Sequence, residues 1–341
     1  MQKESLYGKT LDELISVTKR MGFPGFVARQ IADWLYRKKI SSIDEMTNLS
    51  KKSRDMLAAE YDYGIYSPDN FSESVDGTKK YVYKVLDGKY VETAYIPDSD
   101  RAAICISSQS GCKMRCTFCM TGKQGFQGNL TSREILNQFR SLPEHDSLTN
   151  VVFMGMGEPL DNLREVLKCL GILTGEWGYG WSPSRITVST AGLLAPLQEF
   201  LEKTRVHLAI SLNSPFDEER RTMMPVQQTN AIKDILDIIR NFEFGGQRRV
   251  SFEYILFRGV NDSLRHVREL SRILNGIKCR VNIIRFHEFP GSEFKSPGLT
   301  ETVAFRDALN AKGILATIRT SRGADIKAAC GLLSTLKLNR L

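Results

Sequence analysis

The chain has no long apolar run. No stretch approaches the ~20 residues needed to span a bilayer, and the opening Met1-Gln2-Lys3-Glu4-Ser5 lacks the apolar core of a signal peptide. Membrane residence and export are therefore not expected, and the chain reads as cytoplasmic. It also lacks low-complexity tracts, long blocks of like charge and any repeat beyond a strand–helix alternation, so neither a disordered tail nor a solenoid is expected. Acidic residues are the minority charge: 39 Asp and Glu stand against 47 Lys and Arg, a net charge of +8. That balance favours a polyanionic partner such as nucleic acid. Missing too is the doubled Cys-x-x-Cys arrangement of many structural zinc sites.

What is present is an ordinary globular composition, 42% hydrophobic and 25% charged over 341 residues. The length suggests one large unit and one small one. Residues 8 to 60 read as helices. Leu11, Leu14, Ile15 and Val17 give one helical stripe and Val27, Ile31 and Leu35 another. Arg29, Arg37, Lys38 and Lys39 decorate the second, as either a solvated face or an RNA-facing one. Lys79–Leu86 then alternates in the strand manner, Asp87-Gly88 suits a hairpin turn, and residues 89–96 return. Pro97-Asp98-Ser99-Asp100 marks an expected domain boundary.

From residue 101 strands alternate with helices. The expected strands are Ala102–Ser107, Val151–Met154, Ile186–Ser189, Val206–Leu212, Val250–Leu256, Val281–Phe286 and Ile314–Thr317. Expected helices begin at Thr131, with Glu134 completing a capping box, and cover Arg164–Leu173, Ala231–Phe242 and Ser263–Leu274. This alternation implies an α/β fold with a parallel sheet, doubly wound or a barrel. Polar, glycine-rich loops follow several strands: 107–112, Gly155-Met156-Gly157-Glu158-Pro159, Ser189-Thr190-Ala191-Gly192, Ser211-Leu212-Asn213, and His287 to Gly291. Active sites of parallel βα folds lie at the carboxyl ends of the strands, so these loops point to one shared site.

Seven cysteines are present, and in a cytoplasmic chain a cluster of them suggests metal or catalysis rather than disulfides. Cys112-x-x-x-Cys116-x-x-Cys119 places three thiolates on one short loop, enough for three irons of a 4Fe–4S cluster with the fourth iron left open. Zinc is the rival reading, but a structural zinc site takes four ligands. Cys105 in an apolar strand and Cys330 in Ala-Ala-Cys-Gly would by themselves pass as packing residues, and Glu92 as a solvated hairpin charge. Cys169 and Cys279 read as packing residues.

The cysteine loop followed by Gly155-Met156-Gly157-Glu158-Pro159 resembles the radical S-adenosylmethionine superfamily. Further motifs narrow the likeness: Glu92-Thr93-x-x-Ile96-Pro97, Cys105-x-Ser107-Ser108-Gln109, Gln124-Gly125-Phe126, Asn129-Leu130-Thr131, and Arg322-Gly323-x-Asp325-Ile326-x-Ala328-Ala329-Cys330-Gly331. Together they resemble the adenosine carbon-2 RNA methyltransferases, described as dual-specificity enzymes acting on 23S rRNA and some tRNAs. The likeness runs from the N-terminal helices through Leu332.

The resemblance implies a partial (βα)6 barrel over 98–332, preceded by a helical RNA-contacting domain over 1–70 and a hairpin over 71–97, with 333–341 as a tail. It implies a 4Fe–4S cluster on Cys112, Cys116 and Cys119, and two molecules of S-adenosylmethionine per turnover. Cys330 takes a methyl group from one as a thiolate nucleophile. The other yields a 5′-deoxyadenosyl radical, which removes hydrogen from the S-methyl group, and the methylene radical adds to the adenine ring. Cys105 then helps release the RNA, leaving a Cys105–Cys330 disulfide for reduction, and Glu92 is the acid–base group. Cofactor contacts are implied at Gly157, Glu158, Ser189, Ser211, Leu212, Asn213 and His287. Two positions depart from the family pattern: His287 stands where the family has a cofactor-contacting Asn, and Asn213 where His is common. An electron donor such as flavodoxin or ferredoxin and a monomeric state complete the expectation. The same motifs would serve a carbon-8 adenosine methyltransferase. A radical enzyme with a protein or small-molecule substrate, or a non-catalytic RNA-binding protein with a structural metal, are the more distant alternatives.

Overall fold

Thr10 starts the first long helix because its side chain and that of Glu13 cap each other's backbone amides. Leu11–Arg20 then buries Leu14 and Val17 against Val27–Tyr36, whose inward face is Val27, Ala28, Ile31, Ala32, Leu35 and Tyr36. Ile15, expected in the apolar stripe, faces solvent. The computed structural model describes residues 3–38, 40–85 and 88–335; the expected turn residue Asp87 and the basic Lys39 lie outside them.

One ten-stranded sheet organises the rest. Seven strands are parallel, in the spatial order Arg101–Cys105, Asn150–Phe153, Ile186–Thr190, His207–Ser211, Val250–Leu256, Cys279–Arg285 and Ala316–Ile318. A helix fills each of the six crossovers, so the arc is six βα units and a closing strand. Strands buried on both sides read as apolar runs: Val151, Phe153, Ile186, Val188, Leu208 and Ile210 are all at or near zero exposure. Each such side chain contributes ~1.5–3 kcal/mol on burial. The helices Ser132–Arg140, Leu163–Thr174, Ile232–Asn241 and Leu264–Ile273 lie where the sequence predicts them. Leu194–Lys203, Asp217–Met223 and Leu299–Ala311 are additional.

The structure differs from expectation at residues 97–100. Asn70–Glu73, Lys79–Val85 and Lys89–Asp98 pair antiparallel with one another, and the last pairs with Arg101–Cys105. Residues Asp98 and Arg101 face each other across a tight turn, with Ser99 in the left-handed region at φ 34°. The hairpin therefore extends the barrel sheet, and the polar Pro-Asp-Ser-Asp segment is a turn within it rather than a boundary.

The N-terminal helices are bonded firmly to the barrel. The Tyr7 hydroxyl donates to the Leu136 carbonyl at 3.2 Å and meets the Tyr179 hydroxyl at 2.8 Å. Ser132 donates to the Gly8 carbonyl and Arg133 to the Gly64 carbonyl. Tyr36 packs its ring on Tyr179 and Trp177. Arg37, a candidate RNA contact, donates to the Gly178 carbonyl and so belongs to this junction. Arg29 stays exposed.

Candidate functional site

The cysteine loop leaves the first parallel strand through a buried polar segment, Ser107–Ser110. Gly111 is required where it stands: its φ is 72°, and a Cβ would lie 1.7 Å from the Gly125 carbonyl oxygen. Cys112 donates its amide to that carbonyl, and Arg115 takes a left-handed turn at φ 52°. The Cys119 amide donates to the Cys116 carbonyl, and Cys119 opens the short helix Met120–Gln124. The loop is packed in an apolar shell of Phe118, Met223, Met224, Phe257 and Phe286. Burial raises the Cys112 thiol to about 12 and the Cys116 thiol well above its ordinary range, and the neighbouring cysteines add to both shifts. Such thiols ionise only when a cation arrives to hold them.

This donor set fits a cluster. Three thiols act on one another across one loop, and the apolar shell backs them, burying Cys112 and leaving Cys116 and Cys119 partly open. Among the described residues no three His, Cys, Asp or Glu side chains converge on one point suited to a single ion; a cluster does not require that, since each thiolate ligates its own iron.

Gly155, Gly157 and Glu158 form the next wall. A Cβ on Gly155 would strike the Ile106 carbonyl, and one on Gly157 (φ 99°) would lie 2.5 Å from the Gln109 side chain. The Met156 carbonyl accepts from Ser108 and Gln109, and the Glu158 amide donates to Gln109 Oε1 at 2.9 Å. These bonds fix the loop against the segment that leads to Cys112. Glu158 is 3% exposed. Its carboxylate accepts from the Ala191 amide at 2.7 Å and the Leu160 amide at 3.0 Å. Burial nevertheless raises its pKa to about 6.

Ser189 and Ser211 stand at the carboxyl ends of adjacent parallel strands, Ser189 beside Ala209 and Ser211 beside Glu253. Asn213 follows in the left-handed region at φ 57°. Its side chain accepts from the Ile255 amide at 2.9 Å and reaches Met224 Sδ at 3.2 Å. These strand ends are tied by a residue that the sequence reading missed. Arg220, fully buried, donates to the carbonyls of Ala191 (2.7 Å), Ser211 (3.1 Å) and Leu212 (3.2 Å), and to Gln227. Burial lowers its pKa to about 10, while Cys116 and Asp217 oppose the shift. His287 bonds through Nε2 to the Ser321 hydroxyl at 2.9 Å. Burial and then Arg285 hold its imidazole below the ordinary range, so it is neutral near pH 7.

The remaining candidates meet across the open edge of the arc. The segment after the last strand crosses back to the antiparallel strands. Asp325 accepts from the Ser74 hydroxyl (2.6 Å) and the Val75 amide, and Gly323 donates to Asp76. This pins the loop that carries Cys330. Cys330 is solvent-accessible yet closely surrounded by protein, and this surrounding raises its thiol, with Arg319 pulling the other way. Cys105, buried against Ala94 and Ala328, has its thiol raised by burial and by Cys330. Cys330 in turn senses Cys119. Ala328 packs on Cys105, and the Met120 amide, next to Cys119, donates to the Gly331 carbonyl at 2.8 Å, so the segment that carries Cys330 lies against both Cys105 and the cysteine loop.

Glu92 is 4% exposed, against the ordinary reading of a hairpin charge. It pairs with Lys80 at 2.9 Å and accepts from the Ser334 amide at 2.8 Å. Burial raises its carboxyl pKa, and Lys80 is the strongest opposing influence. Lys80 was also missed. Hairpin register sets Val82 opposite Glu92, so Lys80 is the diagonal neighbour on the same face.

Comparison with known proteins agrees with this geometry. Residues 106–270 match the model of the Radical SAM superfamily, and residues 5–62 that of the ribosomal RNA large subunit methyltransferase N-terminal domain. The chain is 58% identical over 337 residues to a probable dual-specificity RNA methyltransferase RlmN of Bacteroides fragilis, covering 99% of this chain and 98% of that protein. It is 40% identical to the dual-specificity RNA methyltransferase RlmN of Desulfotalea psychrophila, over 98% of this chain and 96% of that one. A crystal structure of a radical SAM methyltransferase from Sphaerobacter thermophilus superposes with a TM-score of 0.90 at 38% identity, over 97% of this chain and 99% of that one. This chain belongs to the RlmN family of radical S-adenosylmethionine RNA methyltransferases.

Proposed function

We propose that this protein methylates carbon 2 of an adenosine in 23S rRNA and in tRNA, with Cys330 carrying the methyl group to the base. The observation that carries the reading is the seating of the Cys330 segment between Cys105, on which Ala328 packs, and the cysteine loop, where the Met120 amide donates to the Gly331 carbonyl at 2.8 Å. When held on Cys112, Cys116 and Cys119, a 4Fe–4S cluster supplies the one-electron cleavage of S-adenosylmethionine. The chain's own groups do the rest. Gly157, Glu158, Ser189, Ser211 and His287 face the cofactor, whereas Leu212, expected there too, is fully buried in the core with its amide and carbonyl bonded inside the protein. Asn213 supports it through the shape of its strand end, since its side chain is engaged with Ile255 and Met224.

Cys330, accessible on its pinned loop, reaches both cofactor and base. Cys105 waits beneath it as the second thiol. Glu92, paired with Lys80, takes or returns a proton near the base. The exposed Arg29 and the N-terminal helices, within residues 1–70, hold the RNA phosphates, and the target adenine leaves its stack to enter. In this reading the chain works as a monomer in the cytoplasm and takes electrons from a flavodoxin or ferredoxin. No described helix is long and apolar enough to cross a membrane.

The test is anaerobic reconstitution with labelled S-adenosylmethionine, reductant and unmodified bacterial RNA, followed by mass spectrometry of the nucleosides. The expected product is 2-methyladenosine, absent with Cys330→Ala and with Cys112→Ala. A carbon-8 product would overturn the regiochemistry. Cofactor cleavage without methylated adenosine would overturn the assignment to these RNAs.

A further inference from the structure

At the amino ends of the parallel strands, opposite the cysteine loop, the arc holds a second cavity of about 580 Å³. Thr187, Leu208, Ser251 and Cys279, near the starts of four successive strands, lie along it. That volume is in the range of small-molecule sites. Arg240, Arg248, Arg249, Lys278, Arg280 and Arg319 line it, and no Asp or Glu does. Arg240 is paired with Asp237 and Arg319 with Glu253. Arg248 is bonded to the carbonyls of Leu201 and Val206 and stacks on Phe242 and Phe244. The side chains of Arg249, Lys278 and Arg280 make no ion pair or hydrogen bond among the described residues, and no acid in the cavity answers them.

A recess lined by one sign of charge focuses its field inward. His207, on the same wall, shows the consequence: burial, Arg249 and Arg248 together hold its imidazole below the ordinary range. Apolar groups complete the lining, with Ile239, Ile277, Phe244 and Leu315 beside the cations and Asn282 at the inner end. A smaller cavity shares His207, Gly246 and Arg248 with it and adds Arg205.

We propose that this cavity binds a nucleoside polyphosphate, with its phosphates on Arg249, Lys278 and Arg280 and its base against Ile277 and Leu315. Charge density decides between this and a strand of RNA. An RNA strand brings one negative charge per nucleotide, whereas a nucleoside triphosphate concentrates several within one recess of this size. Guanidinium forks suit phosphate oxygens in either case. The inference does not rest on the methylation reading, because the proposed phosphate contacts, Arg249, Lys278 and Arg280, stand at the amino ends of the strands; Arg319, at the carboxyl end of the last strand, belongs to the surroundings of Cys330 as well.

Equilibrium dialysis of the reconstituted full chain with labelled ATP or GTP, near ~0.1 M salt, tests it. One saturable site in the micromolar range is expected, weakening by about tenfold or more in Arg249→Glu/Arg280→Glu. Both positions are at least partly open to solvent, and an unchanged circular dichroism spectrum establishes that the variant folds. Excess S-adenosylmethionine must leave the bound nucleotide in place. Absence of saturation by millimolar nucleotide, undiminished binding in the double variant, or displacement by S-adenosylmethionine overturns the proposal. So does inorganic triphosphate binding as tightly as the nucleotide, which would remove the nucleoside. Stoichiometric displacement by an RNA hairpin would give the site to RNA instead.

Discussion

Arg220→Met removes a charge that no ion pair among the described residues holds, and the structure sets the expected cost. The guanidinium donates to three backbone carbonyls and to Gln227. After its loss the Leu212 carbonyl still accepts from the Ser214 amide, and Gln227 Oε1 from the Ile232 amide. The carbonyls of Ala191 and Ser211 lose most. An unsatisfied buried acceptor costs ~1–3 kcal/mol, so the pair costs ~2–6 kcal/mol. Relief from burying a cation offsets part of this, leaving a net destabilisation of about 2–4 kcal/mol. For a chain of 341 residues that lowers the melting temperature by roughly 3–6 °C. Because Ala191 neighbours Glu158 and Ser211 ends a site strand, affinity for S-adenosylmethionine falls as well. Thermal unfolding followed by circular dichroism and equilibrium dialysis of the cofactor are the assays. Arg220→Lys keeps the charge but loses the fork, and lies between the two. A methionine variant that melts within about a degree of the parent and binds the cofactor equally well would refute the idea that this clamp sets the strand ends.

Other consequences are as direct. Gly157→Ala must hold φ 99° with its Cβ 2.5 Å from Gln109; strain of about 1–3 kcal/mol lowers the melting temperature and cofactor binding together, and an unperturbed variant would contradict the geometry. Glu158 has a folded pKa near 6, above its ordinary 4.5, so its contribution is fully present below pH 4.5 and is lost as pH rises through 6. In urea unfolding without cofactor, the parent loses about 2 kcal/mol relative to Glu158→Gln over that window; parallel pH profiles would exclude this. Lys80→Met leaves Glu92 buried without its cation, which raises the carboxyl pKa further and moves the acidic limb of the methylation pH profile upward. Iodoacetamide with mass spectrometry on cluster-free protein labels accessible Cys330 well before buried Cys105; the reverse order would mean that the loop is not held as described.

Local spacing made the cysteine loop readable, since three ligands within eight residues need no tertiary information. The parallel strands were readable because double-sided burial writes itself as apolar runs. Arg220 was hidden for the opposite reason. Its helix, Asp217–Met223, begins Asp-Glu-Glu-Arg-Arg and reads as a solvated charge run, which its neighbour Arg221 is. Leu194–Lys203 was obscured by Pro196, which fits because it lies in the first turn. Lys80 could have been found, since the hairpin turn sets the register that places it beside Glu92. The bond between Ser334 and Glu92 joins residues 242 apart, and no periodicity marks such a contact. His287 and Asn213 show a further limit: a motif names the position, but only the fold shows that one ring faces Ser321 and the other amide faces Ile255.

The Tyr7–Tyr179 junction has a consequence for substrate choice. Because hydroxyl, carbonyl and ring contacts weld the amino-terminal helices to the barrel, those helices and Cys330 keep a constant separation. In the proposed reading the helices grip the RNA backbone and Cys330 meets the base, so the protein measures its RNA as a caliper does. Any RNA that offers a grippable backbone and an extrudable adenine at that spacing is acceptable, whatever its sequence between the two. Two RNAs as unlike as a ribosomal helix and a transfer RNA arm need share only this one length.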